Sequence, residues 1–281
     1  MSTVLTPESE RPPEAPRPWY RRRWFLITAI VVVLLAAAAG GGIWWFLKDD
    51  APAAVNLDSA TQSLSLTTVA QTATTADSAT TTAATADATT TAAASVAVAG
   101  TWTVDTSVGE FGFESSTGTF VGFRVQEELS TIGSTTAVGR TPTVSGEITF
   151  DATTLTAATI QADMTAISTN ESRRDDRVQD ALETGEFPTA TFVLTAPIDL
   201  GGAVNSGAAT TVDAAGDLTI HGVTTPVTLP LEAQLVNGTI VVVGSLDIAL
   251  STYGVEAPSA PIVVSVSDDA QIELQLFFVQ A

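Results

Sequence analysis

Near the end of the chain Ile272, Leu274, Leu276 and Phe278 alternate with Gln271, Glu273 and Gln275. A period of two puts one set on each side of a pleated strand, and this pattern constrains the fold more than any other feature. It recurs from Gly100 onward. Phe111 and Phe113 alternate with Glu110 and Gly112, Phe123 and Val125 with Arg124, and Ile148 and Phe150 with Thr149. Ile160, Ala162 and Met164 alternate with Gln161 and Asp163, and Phe192 and Leu194 follow the same rule. Each run reads as a half-buried antiparallel strand. Leu218 to Leu231, LTIHGVTTPVTLPL, reads as a hairpin broken at Gly222. One segment departs from the pattern. Ser172 to Glu183 has helical spacing, with Ser172 and Asp175 as a capping box and Val178 and Leu182 at i, i+4. Gly185 is placed to close this helix, and Pro188 stops its continuation. Many short strands with one short helix predict an all-β domain, a closed barrel or a sandwich.

Composition removes several classes of function. The chain has no cysteine, which excludes disulfides, thiolate metal sites and a cysteine nucleophile. Its net charge of −20 argues against nucleic acid, which needs a basic footprint. Arg11, Arg17, Arg21, Arg22, Arg23 and Lys48 all precede Asp49, so the C-terminal region is a strongly acidic body.

Residues 24–47, WFLITAIVVVLLAAAAGGGIWWFL, carry no charge and are long enough to cross a bilayer. Arg21-Arg22-Arg23 on one side and Asp49-Asp50 on the other orient the N-terminus toward the cytoplasm. A cleaved signal peptide ending near Ala37-Ala38-Ala39 is the alternative. The apolar run continues to Leu47, which favours an uncleaved anchor. The expected organisation is a basic, proline-rich cytoplasmic tail at 1–23 and a single transmembrane helix at 24–47. A Thr/Ala/Ser-rich disordered linker follows at 48–99 and a β-barrel domain at 100–281. The location that follows is the cell membrane, with the C-terminal domain extracytoplasmic.

Chemistry has few candidates. His221 is the one histidine, between Ile220 and Gly222. As a base or metal ligand it lacks a second histidine, so a hairpin-end residue bonded to backbone is the favoured reading. Arg173, Arg174 and Arg177 share the helix with Asp175, Asp176 and Asp180, as on many solvated helix faces, and head-group contact is the sharper alternative. No G-x-S-x-G and no glycine-rich phosphate loop occurs. What remains is the inward set: Phe113, Phe123, Phe150, Ile160, Met164, Phe192, Leu194, Leu229, Leu276 and Phe278. These are either ordinary core or the lining of an apolar cavity, and periodicity does not separate the two.

An ordered set of pieces resembles the YceI-like family of bacterial extracytoplasmic domains. They are WTVD from Trp102, SGEITFD from Ser145, STNESRRD from Ser168, FPTATF from Phe187, and GDLTIHGVT from Gly216 with Pro226-Val227. Each is weak alone, and their order makes the signal. The resemblance implies a lipocalin-like antiparallel barrel of about eight strands with one short helix. It also implies a non-catalytic role without cofactor, in which an apolar tunnel holds a polyprenyl lipid or a quinone tail. Many members carry His-Ser after the opening Asp. Thr106-Ser107 stands there in this chain, which leaves the ligand's head group open. FVGFRVQEEL from Phe120, with Gly139-Arg140-Thr141, resembles a membrane-anchored actinobacterial subgroup. The rival class is a structural or protein-interaction domain with a solid core on a cell-surface stalk.

Overall fold

A computed structural model describes residues 51–62, 64, 98–113, 116–130, 133–257 and 263–281, with backbone alone at 203. The chain divides into two compact units, Met1–Lys48 and Asp49–Ala281, and all described residues belong to the second. The tail and the apolar run at 24–47 lie outside the described residues. Among those described, no helix is long and apolar enough to cross a membrane.

The strands are β1 (Gly100–Val104), β2 (Phe120–Leu129), β3 (Gly133–Thr141), β4 (Val144–Asp151), β5 (Thr154–Asp163) and β6 (Ser168–Thr169). They continue with β7 (Thr189–Leu194), β8 (Ile198–Asp199), β9 (Thr210–Ile220), β10 (Val223–Val236), β11 (Thr239–Ala249) and β12 (Val263–Gln280). A helix, α1 (Ser172–Ala181), separates β6 from β7. All pairings are antiparallel, and β12 pairs with β11 on one edge and with both β1 and β2 on the other. The sheet therefore closes into a barrel of eight positions: β12, β1 with β2, β4 with β3, β5, β7, β9, β10 and β11. Closure removes the unpaired edges that an open sheet would expose.

Two positions are each filled by a broken strand. β1 and β2 lie in line along β12, with residues 105–113 and 116–119 looped out between them. β3 and β4 are likewise in line, interrupted at Pro142, which has no N–H to give to a ladder. The alternation through Phe111 and Phe113 therefore does not mark a strand. Asp105 turns the chain by accepting from Ser107 N at 2.7 Å, and Glu110 O accepts from Thr117 N and Gly118 N at 3.0 and 3.1 Å. Gly139-Arg140-Thr141 lies inside β3.

α1 occupies most of the span expected for it, with different capping. Ser172 is its first residue, and Asp175 accepts instead from Thr169 N and Oγ1, both at 2.7 Å. Glu183, at φ 46°, ends the helix where Gly185 was expected to. Its face packs Val178 against Met164 and Ile167, closing one end of the barrel.

Residues 51–64 were expected to belong to a linker. They are part of the fold. Residues 57–62 and 64 are helical, and Leu57, Ala60 and Leu64 are buried against Val241, Val243 and Phe277 on the outer face of β11 and β12. The spacing i, i+3, i+7 is one helical face, a signal submerged in the Thr/Ala-rich composition around it. The chain re-enters the body at Val98, whose carbonyl accepts from the Trp102 indole at 2.8 Å. Leu64 and Val98 are thus both packed on the barrel.

Candidate functional site

The barrel interior holds an apolar lumen. Its cavity volume is about 140 Å³. Seven of the ten residues proposed from alternation line it: Phe150, Ile160, Phe192, Leu194, Leu229, Leu276 and Phe278. They come from β4, β5, β7, β10 and β12, each at an inward phase of its strand.

Three do not line it. Phe113 lies in the loop after β1, where its carbonyl accepts from Arg140 and its ring faces that guanidinium at 5.9 Å. Met164 has left β5 for a 3-10 turn capped by Asp163 and packs beneath α1. Phe123 faces inward but belongs to a second space nearer α1. The reading also missed several walls. Ala158 and Ala214 line the lumen, as do Leu200 and Val204 around the 3-10 turn Gly201–Ser206. Small residues make room but give little hydrophobic signal, and irregular segments have no period to detect.

Small residues also free space indirectly. A Cβ at Gly216 would lie 2.4 Å from the ring of Phe192, so that ring lies flat over the glycine on the next strand. No charged side chain lines the lumen among the described residues, and its polar atoms come from Thr191, Thr210 and Gln234. The Gln234 amide is engaged, donating to Gly207 O at 2.9 Å. Such a surface offers burial to an apolar molecule and no acid, base or nucleophile.

His221 is outside the lumen. It and Gly222 form the two-residue β9–β10 turn, both at left-handed φ (51° and 71°), the geometry that matches strand twist in a tight hairpin. Its Nδ1–H donates to Tyr253 O at 3.1 Å, the backbone bond expected of a hairpin-end histidine. Nε2 faces the Glu183 carboxylate at 3.3 Å, and Phe187 stands edge-on at 4.8 Å. The Tyr253 hydroxyl beside this turn is buried without a hydrogen-bond partner of good geometry. Burial pushes its pKa up, and Thr225 only partly offsets this.

Two polar outward positions of β12, Glu273 and Gln275, are buried. Glu273 is fully buried and accepts from Arg140 at 2.7 Å and from Arg124 at 2.8 Å. Arg140 stacks on Phe120 at 4.4 Å. The guanidiniums also donate to the carbonyls of Pro52 and Ala53, which ties the first described residues to the barrel wall. Gln275 is buried as well, donating to Gly118 O at 2.8 Å.

The YceI-like domain model matches residues 54–278, which take in most of the docked segment and nearly all of the barrel. The chain belongs to the YceI-like domain family. A UPF0312 protein of Vibrio vulnificus (strain YJ016) is 32% identical to this YceI-like chain over 109 residues, covering 37% of it and 54% of the relative. Protein YceI of Escherichia coli O157:H7 is 34% identical over 121 residues, covering 42% and 56%. The chain thus spans about half the length of the curated relatives it matches. Among solved structures, a polyisoprenoid binding domain from Saccharophagus degradans shares 22% identity at a TM-score of 0.48, covering 65% of this chain and 99% of that one. BcnA of Burkholderia cenocepacia shares 23% identity at a TM-score of 0.44, with 56% and 95% covered.

Proposed function

We propose that this protein is a membrane-anchored, extracytoplasmic binding protein whose barrel sequesters an apolar lipid or isoprenoid chain and performs no chemistry on it. The observation that carries this reading is the lumen, a space walled almost entirely by aliphatic and aromatic side chains. A solid-core interaction domain has no use for such a space, because empty volume forfeits packing. Apolar burial supplies the affinity. At about 25 cal/mol per Å², a tail burying about 400 Å² gains on the order of 10 kcal/mol before the costs of association. An isoprenoid, such as a polyprenyl lipid or a quinone tail, is the chain that the resemblance to YceI-like domains implies.

The anchoring part rests on sequence. The uncharged run 24–47, Arg21-Arg22-Arg23 before it and Asp49-Asp50 after it support a single span with the N-terminus in the cytoplasm. The two parts have separate tests. Solvent extraction of the purified full chain, followed by mass spectrometry, is expected to release a stoichiometric apolar lipid. A lipid-free protein that also takes up no added polyprenol or quinone would sink the binding reading. For the anchor, the barrel should stay with the membrane fraction through alkaline carbonate washing and should be digested by protease added outside intact spheroplasts.

A further inference from the structure

The lumen walls run along β9 from Thr210 to Leu218 and along its antiparallel neighbour β10 from Val227 to Leu235. The lumen therefore has two ends, and they are closed in different ways. At the Leu218 end Ile220, Tyr253 and Val255 are buried together beside Leu218. Beyond them α1 seals the barrel, with Val178 packed against Met164 and Ile167. Asp175 accepts twice from Thr169 at 2.7 Å, and Arg174 donates to Glu127 and to Asn170, both at 2.8 Å. Asn170 in turn accepts from Val138 N at 3.2 Å and donates to Val138 O at 3.1 Å.

At the other end, beside Thr210 and Leu235, part of the wall is not a strand. Leu200 and Val204 line the lumen from the chain that joins β8 to β9, and both are half-buried. Residues 201–209 pair with no strand among the described residues. Two of the ties between this stretch and the barrel run through single side chains. Asn205 Oδ1 accepts from Val98 N at 3.1 Å, and Gly207 O accepts from Gln234 Nε2 at 2.9 Å. Val98 is a firm partner, fully buried and bonded through its carbonyl to the Trp102 indole. Gly201 and Gly207 flank the stretch at left-handed φ of 60° and 70°. A Cβ at Gly201 would meet nothing within 4 Å. Glycine at both ends lets the backbone pivot there without strain.

We infer that residues 200–207 form a lid, that the apolar ligand enters and leaves the lumen beneath it, and that Asn205 is its latch. This rests on the binding reading above and adds the route. Passage at the α1 end has to part a buried ion pair and a packed apolar cluster, which is local unfolding of the barrel's end. Passage under the lid has to part side-chain hydrogen bonds, whose groups find water when the lid lifts. Leu200 and Val204 then lie back over the apolar chain and remove it from water. Asn205 is not among the residues that line the lumen. Loosening it therefore changes how often the lid opens and not what the closed lumen holds.

The test follows uptake and release of geranylgeraniol by the full chain, timed by native mass spectrometry out of detergent. Asn205→Ala is expected to speed both rates by the same factor, about two- to tenfold for one hydrogen bond, with the affinity unchanged. Asn205→Asp keeps an acceptor for Val98 N and should exchange at the parent's rate. Asp175→Ala loosens the α1 end and should leave both rates as they are. Faster exchange in Asp175→Ala alone puts the route at α1 and overturns the inference. So does an Asn205→Ala chain with the parent's rates, or one that loses affinity through release alone. A second measurement needs no variant. Amide exchange at residues 201–207 of the parent should slow on loading by more than at residues 175–181, and equal slowing at the two ends overturns the lid. A parent chain that takes up no geranylgeraniol sinks the binding reading and the lid with it, whereas uptake with unmoved rates overturns the lid alone.

Discussion

Arg140 and Glu273 meet at 2.7 Å on the outer face of the barrel, 3% and 0% exposed, on strands whose outward positions ordinarily face water. The pair is closed over by Pro52 and Ala53, which precede the barrel, and by the loop after β1, because the Arg140 and Arg124 guanidiniums also donate to the carbonyls of Ala53, Pro52 and Phe113. Removing Glu273 would leave two buried cations facing each other. Glu273→Ala is expected to destabilise the domain by about 3–5 kcal/mol, measured by denaturant unfolding. Replacing all three charged residues by Leu or Met should cost far less, since no charge is then left unpaired. Equal losses in both variants would contradict the cluster as described.

Leu57 and Leu64 test whether the docked segment belongs to the fold. Both are buried against Val241, Val243 and Phe277. Leu57→Ala and Leu64→Ala should each lower stability by about 2 kcal/mol, at the low end for a buried leucine because the helix sits at the margin of the core. Amide exchange near residue 60 should speed up in parallel. Residues of a free linker would show neither effect.

The barrel and most of its lumen were legible because a strand with one buried face announces itself in period two. Ile272 to Phe278 and Phe192 with Leu194 needed nothing else. What was not legible is whatever covers the outer face. Glu273 alternates as a solvent-facing residue should, and its burial is decided by Pro52, Ala53 and the loop after β1, all distant in sequence. The pattern at Phe111 and Phe113 misled for the opposite reason: two alternating aromatics in a glycine-rich loop have the spacing of a strand but no neighbouring strand to pair with. Ala214 went unread because an alanine that makes room looks like any other alanine. The Glu127–Arg174 pair went unread because each residue, taken alone, fits a solvated surface.

Ala214 offers a direct probe of the lumen. It lies opposite Leu229 on the neighbouring strand, is 1% exposed and faces the empty space. In a filled core, Ala→Trp costs 1–3 kcal/mol or more through forced repacking. In this lumen the indole has empty volume to enter, so Ala214→Trp should fold with a loss below about 1 kcal/mol. It should also abolish uptake of an added polyprenol, followed by co-purification and solvent extraction. An unfolded variant would favour a solid core. A folded variant with unchanged uptake would place the ligand elsewhere.

Tyr253 links the hairpin turn to the pH dependence of stability. Its hydroxyl is buried without a good partner, and its pKa lies above the ordinary value of 10.0 because burial disfavours the phenolate. At neutral pH the phenol is protonated in folded and unfolded chains alike and contributes no slope. As pH rises past the unfolded value the unfolded chain ionises first, so stability falls between the unfolded and the folded pKa. Tyr253→Phe removes that ionisation. At neutral pH it also removes an unpaired buried hydroxyl, so the variant should be as stable as the parent or up to about 1 kcal/mol more so. Denaturant midpoints at neutral pH and above pH 10 check both statements. The variant should gain on the parent as the solution becomes alkaline, whereas a gap that stays constant, or a variant weaker at neutral pH, would mean that the hydroxyl holds a hydrogen bond in the folded protein.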